Sequence, residues 1–184
     1  MLHPDPTPQP TAYPVDVIRS PRRQKTVSAR LVEGRIRVRI PAWMSPEDED
    51  RFVADAVSRI EEKRRCASVD LERRAGELAD ALGLPRPSSI RWATNQTLRW
   101  GSCSVGSSDI RISTRLVDVP PWVLDHVIAH ELCHLVVPDH SEPFHELLSR
   151  YPLAERATGY LLALSDQPAP ASAVATPARP RRAG

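Results

Sequence analysis

Apolar and polar residues alternate over Val27, Ala29 and Leu31, and again over Ile36, Val38 and Ile40. Period-two patterning gives each run one core face, and Glu33-Gly34 between them predicts a β-hairpin. The pattern then changes period. Ser45-Pro46-Glu47-Asp48 combines an N-cap, a proline at the first helical position and acids in the first turn. Val53, Val57 and Ile60 follow at helical spacing, predicting a helix to about Arg65. A second helix, capped by Ser68, carries Leu71, Ala75, Leu78 and Leu82 and closes near Gly83-Leu84-Pro85.

Residues 88–117 read differently. Ile90 and Trp92 predict a short strand, Trp100-Gly101-Ser102-Cys103 a turn or bulge, and Ile110, Ile112 and Thr114 another strand. Pro120-Pro121 opens a strongly apolar helix, Trp122 to Val137, which stops against Pro138. Ser141 is expected to cap a helix carrying Phe144, Leu147 and Leu148 that ends near Pro152, and Leu153 to Leu164 form the last helix. No internal repeat is visible.

Composition sharpens the boundaries. Of the 19 prolines, five fall in residues 1–14 and four in residues 168–180, so both ends read as disordered tails around one domain at 15–165. The opening MLHPDPTPQPTAYP lacks an apolar core and is not expected to be a signal peptide. No apolar run approaches the roughly 20 residues a membrane helix needs. Three scattered cysteines (Cys66, Cys103 and Cys133) exclude a disulfide scaffold, and the cytoplasm is the expected location. The formal charge of +2 conceals an asymmetry: residues 19–39 carry eight basic groups and only Glu33 as acid, whereas residues 118–146 carry six acids and no Lys or Arg. Arg35, Arg37 and Arg39 share one face of the predicted strand, a surface that could meet phosphates or simply be a solvated face that resists edge pairing.

Five of the six histidines lie within residues 126–145, and His130-Glu131-Leu132-Cys133-His134 forms an HExxH on the predicted helix. Residues four apart share a helix face, so two imidazoles can reach one ion while the adjacent glutamate reaches an attacking water. The candidates for a third ligand are His126, His140, His145, Cys133 and a downstream carboxylate, Glu155. His126 stands eight residues from His134, about 12 Å along a helix axis, too far for one ion. His140 follows His134 by six residues, just past the helix-ending proline, and is preferred. That is the HExxHxxGxxH separation, but Val137 holds the glycine position and no methionine follows the helix, which argues against a metzincin. Tyr151, Tyr160 and His145 are candidate oxyanion helpers. Cys133 reads as core and Cys66 as a bystander. Trp100 reads as a brace for the metal helix, and Trp43, Trp92 and Trp122 read as packing residues.

The chain resembles the YgjP-like metallopeptidases, relatives of the SprT-like zincins. The resemblance covers most of residues 15–164. It rests on Arg22-Arg23-Gln24-Lys25-Thr26, on Arg99-Trp100-Gly101-Ser102-Cys103-Ser104, on the HExxH, and on Pro138-Asp139-His140-Ser141 followed by Phe144. It implies a zincin-like α+β fold of minigluzincin type, with an N-terminal hairpin, helices and a small, mostly antiparallel sheet packed on the HExxH helix. It also implies Zn2+ held by His130, His134 and His140, and Glu131 as catalytic acid/base. His126 stands where the family often has tyrosine, and His145 where tryptophan usually follows the phenylalanine.

The expected activity is zinc-dependent hydrolysis of polypeptide, with strand 110–114 edging the cleft to hold an extended chain. One alternative is a zinc-dependent nucleotide pyrophosphohydrolase, against which stand the lack of a Gly-rich phosphate loop and the acidic metal region. Another is a nucleic-acid-associated binding module with a structural metal, which would not need Glu131.

Overall fold

The computed structural model describes residues 13–166, which form five α-helices and two three-stranded sheets. The tails expected to be disordered lie outside the described residues, except at Tyr13, Pro14 and Asp166. The described chain divides into two compact units, residues 13–63 and 64–166. Among the described residues, no helix is long and apolar enough to cross a membrane.

The first unit holds β1 (Val15–Ser20), β2 (Ser28–Val32), β3 (Arg35–Pro41) and most of α1 (Pro46–Ala67). β2 and β3 form the expected antiparallel hairpin, with Leu31 opposite Ile36 and Ala29 opposite Val38. Its turn places Glu33 (φ 51°) and Gly34 (φ 74°) in the left-handed region, as a two-residue hairpin matched to strand twist requires. Ile36, Val38 and Ile40 point inward with Met44 and Val57, against Phe52, Val53 and Ile60 of α1. Ser45 caps that helix, its Oγ accepting from the Asp48 N–H at 3.1 Å. β1, unforeseen, lies parallel to β3, with Val15 beside Ile36.

The second unit comprises α2 (Leu71–Leu82), β4 (Ser89–Ala93), β5 (Gly101–Ser104), β6 (Asp109–Ser113), a 3-10 turn (Thr114–Leu116), α3 (Pro121–Cys133), α4 (Glu142–Leu148) and α5 (Ala154–Ser165). Asp70, not Ser68, caps α2, accepting from the Arg73 N–H at 2.9 Å; Ser68 instead donates to the Arg65 carbonyl. Gly83 (φ 65°) closes the helix, and the Leu84 N–H reaches back to the Ala79 carbonyl at 2.8 Å.

The sheets correct the expectation of mostly antiparallel pairing. Each is mixed: β1 with β3 and β4 with β6 run parallel, whereas β2 with β3 and β5 with β6 run antiparallel. The Gly101–Ser104 stretch, read as a turn or bulge, is strand β5, whose small polar residues hide any alternation. Strand order β4-β6-β5 puts β6 in the centre with both edges paired, so residues 110–114 cannot take an added strand; β4 and β5 are the edge strands.

α3 is buried on most of its circumference and touches α2, α4, α5, β5 and β6. Its Leu124, Val127, Ile128 and Leu132 share a core with Leu71 and Ala75 of α2, Ile110 and Ile112 of β6, Phe144 of α4 and Leu161 of α5. An all-round apolar helix is stable only in such a setting. It ends at Cys133, four residues before the predicted stop, and tightens through turns to Pro138.

Candidate metal centre

Pro121 opens α3, and the helical spacing then brings His126, His130 and His134 along one side. His134 is the C-cap residue. The chain turns over Leu135 to Val137, and His140 folds back toward the helix. Its Nε2 lies 3.1 Å from His130 Nε2. One ring nitrogen from each of His130, His134 and His140 lies within 4.8 Å of the others.

Two imidazoles bound at roughly 2.0–2.1 Å to one tetrahedral ion have nitrogens about 3.3 Å apart, so the His130–His140 spacing suits a shared metal. Imidazole donors fit first-row transition metals. His134 Nδ1 lies 3.1 Å from the Val137 carbonyl, an acceptor only, so Nδ1 carries the proton and Nε2 keeps a free lone pair. Burial and the neighbouring imidazoles push His130 down to about 3, and burial also lowers His134. Both shifts favour the neutral imidazole, the form that ligates metal.

Glu131 projects from the same helix, 5% exposed. Burial pushes its carboxyl up to about 7, partly opposed by the positive charge of Arg99. All four residues line a cleft of about 960 Å³, walled by β5 on one side and by α5, through Leu161 and Leu162, on the other.

The other candidates separate clearly. His126 is 5% exposed and outside the three-histidine group; its Nε2 lies 3.4 Å from Thr158 Oγ1, and its Nδ1 has no hydrogen-bond partner among the described residues. His145 is exposed and lines the cleft. Cys133 is buried, its thiol pushed up to about 11 by burial, and it lies outside the group. Glu155 is exposed and borders neither group nor cleft. Tyr151 spends its hydroxyl on the Trp122 carbonyl at 2.8 Å, and Tyr160 packs edge-on against Trp122. Neither lines the cleft, so His145 alone of the three expected oxyanion helpers borders it. Trp100 also lines the cleft, its ring stacked by Arg115 at 3.9 Å. Sequence reasoning missed Arg99 and Gly101 as cleft residues; both were visible in the RWGSCS stretch, whose chemistry has no spacing rule of its own.

Comparison with known proteins gives a family match and two structural likenesses. A family model described as the YgjP-like metallopeptidase domain matches residues 63–159. The metallopeptidase zymogen of Pyrococcus abyssi, abylysin, is 21% identical over 52% of this chain and 91% of its own, with a TM-score of 0.46. The zymogen of Methanocaldococcus jannaschii jannalysin is 17% identical over 53% of this chain and 98% of its own, also with a TM-score of 0.46. No curated protein matches the chain.

Proposed function

The chain belongs to the YgjP-like metallopeptidase family, and from that premise we propose that it is a zinc-dependent peptidase of zincin-like fold. In this proposal His130, His134 and His140 hold the zinc, Glu131 is the general base, and the working domain spans residues 15–165. The observation that carries it is the convergence of three imidazole nitrogens within 4.8 Å beside a buried glutamate on the same helix. Membership of a peptidase family makes polypeptide the substrate class.

A zinc held by His130, His134 and His140 would supply Lewis acidity, lowering the pKa of water toward about 7 and polarising a carbonyl. The protein's own groups do the rest. Glu131, with its carboxyl pushed up to about 7, accepts a proton from the water that attacks the scissile carbonyl and returns it to the departing amine as the C–N bond breaks. The edge of β5 borders the cleft and can pair with an extended peptide, the task expected of residues 110–114. His145, which borders the cleft, is our candidate for supporting the developing oxyanion. None of the three cysteines forms a disulfide among the described residues, which supports a cytoplasmic location.

Purified protein with stoichiometric zinc should cleave unfolded polypeptide, and Glu131→Gln should abolish cleavage while retaining zinc. Hydrolysis of nucleoside triphosphates without cleavage of polypeptide would replace this proposal with a pyrophosphohydrolase.

A second property, compatible with the first, concerns nucleic acid. Arg30 stands directly opposite Arg37 across β2 and β3, with Arg39 next on the same face. Among the described residues, none of the three takes part in an ion pair. We propose that this face contacts a phosphate backbone.

A further inference from the structure

Gly101 opens β5 and is buried. Its φ lies outside the left-handed region, so conformational freedom does not explain the residue. Space does. A methyl group at this Cα would lie 2.5 Å from Glu131 Oε1, 2.8 Å from its Cγ and 2.9 Å from its Cδ. Carbon atoms in contact sit about 3.5–4.0 Å apart. The outer part of the Glu131 side chain therefore rests directly on the bare backbone of β5.

The approach is particular to this position. Among the described glycines, Gly34, Gly106 and Gly159 have nothing within 4 Å of where a Cβ would stand. At Gly76 and Gly83 the nearest atoms are guanidinium groups of Arg86 and Arg150, at 3.1 and 3.6 Å, the far ends of side chains that can swing. At Gly101 the obstruction includes Cγ. Turning the Glu131 carboxylate about its last bond leaves that clash in place, so the whole side chain must leave its rotamer. It is 5% exposed, and α3 is fixed on several sides, so Glu131 and its helix have little room to move away from residue 101.

We infer that Gly101 is a positioning residue: its missing side chain lets β5 hold the Glu131 carboxylate at one place over the cleft. Any side chain at 101 displaces that carboxylate. The catalytic consequence rests on Glu131 being the general base, as proposed above; the contact itself does not.

The test uses full-length wild type, Gly101→Ala, Glu131→Ala, the double variant, and Gly106→Ala as a control with open space around it. In metal-free protein, Gly101→Ala should lower the melting midpoint by several degrees when residue 131 is Glu. With Ala at 131 it should leave the midpoint unchanged or raise it. In zinc-loaded protein, Gly101→Ala should lower kcat on unfolded polypeptide about a hundredfold, with KM and zinc stoichiometry unchanged and Gly106→Ala like wild type. An equal midpoint drop in both backgrounds would refute the contact. A kcat within a few-fold of wild type would refute the positioning role. If Gly101→Ala does not fold, the double variant must; failure of both overturns the inference. If wild type cleaves no polypeptide, the proposed function falls, while the metal-free cycle still decides whether Gly101 seats Glu131.

Discussion

The phenyl ring of Phe144 lies 4.6 Å from the imidazole of His134, centroid to centroid, and 4.8 and 4.7 Å from those of His130 and His140. Phe144 is fully buried, whereas His140 is exposed. One rigid ring thus floors all three imidazoles and limits how each can turn. Phe144→Ala should cost about 3–5 kcal/mol by lost burial and an unfilled cavity. It should also weaken zinc binding about 10–100-fold, the usual effect of removing a support behind ligands. Phe144→Leu, which keeps apolar volume, should lose less of both. Denaturant titration of the metal-free proteins and chelator competition measure the two effects. Unchanged zinc affinity in Phe144→Ala would show that the floor is packing alone.

The ligand assignment predicts an order of zinc loss. His140→Ala removes a nitrogen 3.1 Å from His130 Nε2 and should deplete bound zinc strongly. His126→Ala and His145→Ala remove rings outside the three-histidine group and should leave zinc near stoichiometric. Chelation of the wild type should abolish cleavage and lower the melting midpoint, because a ligand of the folded state stabilises it by mass action. Added zinc should restore both. Metal analysis after gel filtration gives the ranking, and a reversed order would displace His140 from the site.

Arg74 of α2 grips Asp125 of α3 at two points, Nε to Oδ1 and Nη2 to Oδ2, the latter at 3.1 Å. The two side chains are 24% and 21% exposed, against 60% and 62% for the neighbouring pair Arg73–Glu77. Partial burial leaves an abandoned partner poorly solvated. Asp125→Ala should therefore cost about 1–3 kcal/mol, between the ranges for exposed and buried pairs, and Glu77→Ala under about 1 kcal/mol. High salt should erase the second effect and only part of the first. Denaturation at two ionic strengths checks this; equal losses would show that the α2–α3 clamp adds nothing beyond a surface pair.

Much of this was legible because distinct periods announce distinct elements. The hairpin was readable from Val27 to Ile40, and the helices from their apolar spacing and their prolines. His130, Glu131 and His134 were readable from their spacing on a helix, and His140 from its place just past Pro138. β1 was obscured because its parallel partner is 21 residues away and its start adjoins a proline-rich stretch. β5 was obscured because Gly-Ser-Cys-Ser shows no hydrophobic alternation, although its backbone pairs regularly with β6. Strand order is set by which edges find partners in three dimensions, so β6 in the centre and β5 at the edge could not be read from residues 101–113. Gly101 shows the same limit: the residue that shapes the place of Glu131 stands 30 positions away and reveals itself only through what its missing side chain admits.

The arginine face of the first sheet yields the last prediction. Asp16 meets Arg35 through two contacts, at 2.7 and 2.6 Å, and the guanidinium holds its carboxyl below the usual range. Arg30, Arg37 and Arg39 form no ion pair among the described residues, and Asp16, the partner of Arg37 across β1 and β3, offsets part of one charge. Arg30 directly opposite Arg37 sets like charges against each other, which is destabilising on a sheet. In the proposed role, phosphates held on this face would offset that repulsion. Binding of single- or double-stranded DNA should therefore weaken steeply with salt, and changing all three arginines to alanine should reduce both the affinity and the salt dependence. The slope of log K against log salt should fall by about 0.7–0.9 for each phosphate contact removed. The variant should be at least as stable as wild type and should keep full cleavage of polypeptide. Fluorescence anisotropy across a salt series reads the slope, and a slope identical in wild type and triple variant would reduce the face to a solvated surface.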